Sequence, residues 1–161
     1  MTIAKVLQIR TWRFATAAVF LTIGVVSTAS AHVSMWPRES RVGMTEKYTV
    51  RVPTEGKVAT TKAEMVVPEG VAVGLVGAAG TTWKHDIKRE NGRIVGVTWH
   101  VNIPPGEFME FVFLARNPKD KAEIVWSLRQ TYADGTSEDW TTTPDGKIRP
   151  TATTKLVAGT P

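Results

Sequence analysis

Short runs of alternating apolar and polar residues, each ended by proline or glycine, dominate this chain after residue 45. The run from Glu46 to Val52 stops at Pro53, and Asn91-Gly92 separates two further runs. Asn and Gly accept the positive φ angles of a type I′ turn, so this pair predicts a β-hairpin. The predicted strands are 46–52, 60–67, 71–76, 83–90, 93–101, 107–115, 123–132 and 136–141, with an edge strand in the tail from Ile148. No run has a helical period, so the pattern predicts an all-β sandwich or barrel.

The segment that precedes His32 has the composition of a cleavable secretory signal. Lys5, Arg10 and Arg13 form a basic region, residues 15–26 are mostly apolar, and residues 29–31 read Ala-Ser-Ala. This order predicts cleavage between Ala31 and His32 and export to the periplasm or the extracellular face. A leader retained as a membrane anchor is the alternative. Residues 32–161 are then one domain, because a stretch of this length matches the size of a single domain.

Composition excludes several classes of function. Residues 32–161 carry 17 basic and 15 acidic side chains without a basic cluster, so nucleic-acid binding is not expected. The chain has no cysteine and three histidines without metal-site spacing, which argues against structural zinc. His85 is expected to be exposed, and His100 to be a surface or partly buried structural histidine. There is no nucleotide or hydrolase motif.

Cleavage before His32 would create a metal-binding residue. An N-terminal histidine offers its α-amine and its ring Nδ1 to the same ion. Two cis nitrogens and a carboxylate suit Cu(II), whereas Cu(I) prefers soft ligands that this chain does not cluster. The competing interpretation is that the cleavage point falls before a histidine by coincidence.

Glu110 is the first carboxylate considered as a further donor. It shares one face of its predicted strand with Phe108, Val112 and Leu114, while Phe111 lies on the other face. If both faces are apolar, Glu110 points into apolar surroundings and needs a partner, because desolvating a lone carboxylate is costly. A salt bridge to Arg or Lys, or exposure near a sheet edge, would meet this need as well as a metal ion would. Glu107, beside a Pro-Pro-Gly turn, is expected to be solvated.

The order of motifs along residues 31–157 resembles the YcnI-like family of exported copper-binding domains. The motifs are His32-Val33-Ser34-Met35-Trp36-Pro37, Tyr48-Thr49-Val50-Arg51-Val52-Pro53-Thr54-Glu55, Val97-Thr98-Trp99, Phe108-Met109-Glu110-Phe111, Gln130-Thr131-Tyr132-Ala133-Asp134-Gly135 and Trp140. The resemblance implies an immunoglobulin-like β-sandwich that binds one Cu(II) through a monohistidine brace: the amine and imidazole of an N-terminal histidine, a glutamate and a nearby tryptophan.

Carried onto this chain, the resemblance assigns the brace to His32, the glutamate to Glu110 and the tryptophan to Trp140. Glu107 and Trp126 are the alternatives for the last two, and an unusual His100 leaves a second histidine ligand open. The implied function is non-enzymatic copper acquisition, delivery or buffering, with a membrane copper transporter or a copper-requiring oxidase as partner. The alternatives are a copper-dependent oxidase or monooxygenase, and an interaction sandwich that binds no metal.

Overall fold

The computed structural model describes residues 32–140 and 152–158, and every regular element in these ranges is a β-strand. The strands are β1 (Ser34–Trp36), β2 (Glu39–Arg41), β3 (Thr45–Pro53), β4 (Thr60–Val66), β5 (Ala72–Val76), β6 (Lys84–Glu90), β7 (Arg93–Ile103), β8 (Phe108–Arg116), β9 (Glu123–Val125), β10 (Ser127–Tyr132), β11 (Ser137–Trp140) and β12 (Thr153–Val157). The all-β prediction is therefore confirmed. The described part of the chain contains no helix able to cross a membrane. The predicted leader and the tail segment 148–151 lie outside the described residues.

Two curled sheets form the domain. The large sheet has nine strands in the order β1-β3-β8-β5-β7-β4-β10-β11, with β6 paired to β7. The small sheet has the order β2-β12-β9, and its β12–β2 pair is parallel. β1 and β11 are thus the two ends of the large sheet's path, and their positions matter for the site described below.

Strand alternation puts one face of each strand into a shared aromatic core. Tyr48, Phe113 and Trp126 pack together there, with ring centroids 4.8–5.5 Å apart. Trp99 stacks on Phe111 with a centroid separation of 4.9 Å. All five rings are buried. Burying a side chain of this size contributes roughly 2 kcal/mol relative to leaving it in water. The buried rings therefore help to hold the two sheets together.

The turn chemistry predicted for the central hairpin is confirmed. Asn91 and Gly92 connect β6 to β7 with φ angles of 49° and 76°.

The predicted strand 123–132, in contrast, is divided. Trp126 interrupts it, because β9 pairs with β12 in the small sheet whereas β10 pairs with β4 in the large one. The buried Trp126 marks the point at which the chain passes from one sheet to the other.

A buried polar network lies at the end of the domain where β3 begins. The hydroxyl of Tyr48 donates to Asn117 Oδ1 at 2.6 Å, and Asn117 Nδ2 donates to Ser40 Oγ at 2.9 Å. Burial, reinforced by the Glu46 carboxylate, raises the pKa of Tyr48 from 10.0 to about 12. The folded protein therefore favours the neutral phenol.

Alkaline pH should weaken the fold through Tyr48. Its pKa is raised on folding, so the stability it contributes is complete below pH 10 and is lost as the pH rises through about 12. The free energy of unfolding of the wild type should lose roughly 2 kcal/mol relative to a Tyr48→Phe variant between these limits. Urea unfolding of both proteins across this range measures the difference. Parallel pH profiles would contradict the assignment.

Candidate functional site

His32 lies where the two ends of the large sheet meet. It lies two residues before the start of β1, and the next residue, Val33, is buried in the core together with Met35. The half-buried imidazole of His32 packs against the indole of Trp140, the last residue of β11. Their ring centroids are 5.3 Å apart and the planes are tilted by 51°. We call this junction of His32 and Trp140 the seam.

Trp140 lies at the seam and Trp126 does not. Trp140 is 8% exposed, and its Nε1–H donates to Gln130 Oε1 at 3.1 Å. Trp126 is fully buried among the core rings, and its Nε1–H donates to Thr154 Oγ1 at 3.1 Å. Of the two tryptophans that the sequence offered, the structure brings Trp140 to His32.

Glu110 lies on the outer face of the sheet, and the expectation of an inward face is wrong. Its Oε1 accepts from Arg51 Nε at 2.9 Å and Nη2 at 2.8 Å, and its side chain is 39% exposed. Alternation gives the inward positions of β8 to Phe111 and Phe113, which leaves Glu110 facing solvent. The structure therefore shows the ion-pair alternative for this carboxylate.

Strand register separates Glu110 from His32. Ser34 pairs with Arg51, and Arg51 pairs with Glu110, so two strand spacings lie between β1 and β8. His32 lies two residues before Ser34. The Cα atoms of His32 and Glu110 are then about 12 Å apart, from strand spacings of about 4.8 Å and a rise of about 3.3 Å per residue. The other candidate, Glu107, is exposed as expected.

A cleft beside Trp140 contains carboxylates that the sequence interpretation missed. This cleft of about 570 Å³ is lined by Trp140, Glu55, Lys57, Glu138 and Tyr132, among others. Glu138 accepts a hydrogen bond from the hydroxyl of Tyr132 at 3.0 Å. Glu55 and Glu138 are therefore the glutamates that the described residues place around the tryptophan of the seam.

Antiparallel pairing explains why Glu55 lies near the start of the domain. β3 ends at Pro53 beside the start of β1, and extending the Ser34–Arg51 register places His32 opposite Pro53. The loop after β3 is held there, because Thr54 N–H donates to the Glu107 carbonyl at 2.9 Å. A signal for Glu55 was present in its position two residues after the strand end at Pro53, but using it requires knowing that β1 pairs with β3.

The other histidines lie elsewhere. His100 is exposed, as expected for a surface histidine, and its Nε2 is 2.8 Å from Asp86 Oδ2. His85 is half-buried, not exposed as expected, because its ring lies against Trp83 at a centroid distance of 5.9 Å. Its buried Nδ1 has no hydrogen-bond partner among the described residues.

A metal ion at the seam would find few side-chain donors close together among the described residues. Residues 32–140 and 152–158 contain no group of three or more His, Cys, Asp or Glu side chains arranged for a metal ion. The brace expected from the sequence would need only two residues, because an N-terminal histidine would supply two nitrogens and a carboxylate the third donor. Nitrogen and oxygen donors in this number suit Cu(II).

The chain matches one family over almost the whole domain. The sequence model described as "Domain of unknown function (DUF1775)" matches residues 32–156. The copper-binding protein CutI of Bacillus subtilis (strain 168) is 37% identical over 116 residues, which are 70% of this chain and 56% of CutI. This chain thus spans about half the length of the curated relative it matches.

Solved structures show the same architecture. An uncharacterised protein from Nocardia farcinica with an immunoglobulin-like fold superposes with a TM-score of 0.64 at 24% identity, covering 79% of this chain and 99% of that one. A cohesin module from a Clostridium perfringens ATCC13124 family 33 glycoside hydrolase gives a TM-score of 0.50 at 14% identity, covering 79% and 98%. The predicted immunoglobulin-like β-sandwich is confirmed.

The contact at the seam can be tested without metal. In Trp140→Phe the ring protons of His32 should show a larger change in NMR chemical shift than those of His85 or His100, because the indole ring current is removed. Trp126→Phe is the matched control: it should leave the His32 shifts unchanged while lowering the free energy of unfolding by about 2 kcal/mol. A His32 shift that follows Trp126 would contradict the observed packing.

Proposed function

The chain belongs to the DUF1775 family, the YcnI-like family that its motifs resemble, and on this basis we propose that it binds Cu(II) through His32. The contact between the His32 ring and Trp140 carries the proposal. It brings together, at one site, the histidine and the tryptophan that the family resemblance assigns to copper binding. The CutI relative, a copper-binding protein, supports copper as the ligand. The processed protein, beginning at His32, holds one ion per chain.

His32 supplies two of the donors. Its α-amine exists only after cleavage at Ala31, so processing turns an amide nitrogen, which is a poor donor, into an amine. The amine and Nδ1 then close a chelate on one ion. Val33 and Met35, both buried, fix the backbone that follows and hold His32 at the seam.

Glu55 is our choice for the carboxylate, in place of Glu110. The Pro53–Thr54 segment places Glu55 at the end of the sandwich where β1 begins, and Glu55 lines the cleft that reaches Trp140. Glu110 is committed to Arg51 on the outer face. A carboxylate at the seam also offsets part of the charge of a divalent cation. Glu138, which also lines the cleft, is the alternative.

Trp140 shields the ion and does not ligate it. An indole N–H is a donor without a free lone pair, and here it is occupied by Gln130. The ring can lie over a cation and exclude water from that side. Limited access suits a carrier better than an oxidase, and His100, the second histidine an oxidase would need, faces Asp86 instead. We therefore propose a non-enzymatic role in copper acquisition, delivery or buffering.

The proposed role places the protein at the cell envelope. The composition of residues 1–31 supports export with cleavage before His32, to the periplasm or the extracellular face. Its partners there are a membrane copper transporter or a copper-requiring oxidase that exchanges copper with the seam.

Processing should create the binding site. A protein that begins at His32 should bind one equivalent of Cu(II), and a protein that retains Ala31 should bind at least about tenfold more weakly, a loss of roughly 1.4 kcal/mol. Competition titration gives the affinities, and electron paramagnetic resonance reports the donors. A protein that begins at His32 with an acetylated amine is the matched control, because it blocks the amine without adding a residue. Equal affinity of all three forms would rule out the brace.

The carboxylate assignment separates two glutamates. Glu55→Gln should weaken Cu(II) binding and alter the paramagnetic resonance spectrum, because a neutral amide replaces an anionic donor. Glu110→Gln should leave both unchanged and lower the free energy of unfolding by less than about 1 kcal/mol, since its exposed pair with Arg51 contributes little. The opposite result would return the ligand to Glu110. A loss confined to Glu138→Gln would move the ligand to Glu138.

A further inference from the structure

We propose that Gln130 is the positioning residue of the seam: its side-chain amide fixes Trp140 and the Pro53–Glu55 segment as one unit. This inference rests on the proposed function for its consequence, but its structural claim concerns the protein alone. Gln130 lies on β10 and is 1% exposed, between the strand that ends at Trp140 and the loop that carries Glu55.

The side-chain amide of Gln130 makes three hydrogen bonds in this region. Its Nε2 donates to the Pro53 carbonyl at 2.7 Å and to Thr60 Oγ1 at 2.6 Å. Its Oε1 accepts from the indole N–H of Trp140 at 3.1 Å. Both N–H donors of this buried amide are used, and its oxygen has a partner, so the three bonds together hold the amide in one position.

The partners fix which way the amide points. Exchanging the positions of its nitrogen and oxygen would place the NH₂ against the indole N–H of Trp140 and the oxygen against the Pro53 carbonyl. Both contacts would join like with like, and the buried groups would lose their partners. Only one orientation of Gln130 satisfies the site, and it is the one observed.

The hydrogen bonds of Thr60 and Thr54 have a fixed direction, in which each hydroxyl donates away from Gln130. Thr54 Oγ1 donates its one proton to the Ile103 carbonyl at 3.1 Å, so it can only accept from Thr60 Oγ1, 2.6 Å away. Thr60 therefore donates to Thr54 and accepts from Gln130. This chain of bonds secures Thr54, the residue next to Glu55, from its side-chain end, while its backbone is held by the 104–107 turn.

One amide thus joins both halves of the proposed site. On one side it holds the indole N–H inward, which sets the face that Trp140 presents to His32. On the other it holds the backbone that precedes Glu55. Without Gln130, the indole could turn its N–H toward solvent, and the Pro53 carbonyl would be left buried without its donor.

The Tyr48–Asn117–Ser40 network, at the end of the domain where β3 begins, supplies a control for the loss of a buried amide. Asn117 is also a buried amide, 3% exposed, and it accepts from Tyr48 and donates to Ser40 and the Arg41 carbonyl. Replacing Asn117 removes the same number of hydrogen bonds from the interior as replacing Gln130. It touches neither the seam nor the cleft residues, so it measures the purely structural cost of losing a buried amide.

The test compares Gln130→Met with Asn117→Leu, and uses Thr60→Val as a milder variant that removes only the Thr60 branch. In metal-free protein, Gln130→Met should shift the Trp140 indole N–H and the His32 ring signals in NMR spectra and speed exchange of that N–H with solvent. Asn117→Leu should leave these signals unchanged.

With copper, Gln130→Met should weaken Cu(II) binding about ten- to hundredfold, as loss of a group that orients ligands does. Thr60→Val should change the binding in the same direction by less.

The outcomes separate the two claims. Unchanged His32 and Trp140 signals in Gln130→Met, or a copper affinity that falls no more than in Asn117→Leu, would overturn the positioning role. If Gln130→Met does not fold, slow exchange of the Trp140 N–H in the wild type together with the Thr60→Val affinity decides the question in the same way. If the wild type binds no Cu(II), the proposed function fails, and the metal-free spectra still decide whether Gln130 positions Trp140.

Discussion

Closure of the large sheet at its two ends is the constraint on which the candidate site depends. A curled sheet leaves two edge strands, and here β1 and β11 bring their ends together through His32 and Trp140. Trp140 is buried in the core, and a half-buried imidazole lies beside it. A histidine so placed has its position fixed by the core residues that follow it, which is what chelation by a single residue needs.

Hydrogen-bond satisfaction inside the sandwich gives this junction its rigidity. The apolar core is non-directional and tolerates small rotations of a ring, whereas a buried amide with three partners does not. Gln130 therefore restricts Trp140 more closely than packing alone would. The Tyr48–Asn117 network does the same at the opposite end, so each end of the sandwich is held by one buried amide.

Local sequence pattern was sufficient for the middle of the fold and insufficient at its ends. Long alternating runs and the Asn91-Gly92 turn predict β3 to β8, because burial on one face and turn chemistry act over neighbouring residues. β1 and β2 are three residues each, too short for alternation to register. The break at Trp126 depends on β9 pairing with β12, a partner from the far end of the domain that no local signal records.

The same distinction applies to the site residues. His32 and Trp140 could be chosen from the order of motifs, but nothing in that order says which face of β8 is inside. Phe108, Val112 and Leu114 are exposed, so an apolar outer face misled the assignment of Glu110. Glu55 and Gln130 gain their interest from strand pairings, between β1 and β3 and between β10 and β4, which are properties of the folded chain.

The parallel pairing of β12 with β2 has a consequence for the order in which the molecule assembles. Lys155 bonds to the carboxylate of Glu39, and Thr154 Oγ1 donates to the Pro37 carbonyl, so residues more than a hundred positions apart fasten the segment just after β1. Such distant pairing is slow to form, because a long loop must close before any contact rewards it. During synthesis, β1 can pair with β3 soon after both are made, whereas β2 must wait for β12. The segment from Pro37 to Arg41 would then be among the first parts of the domain to be made and among the last to be fastened.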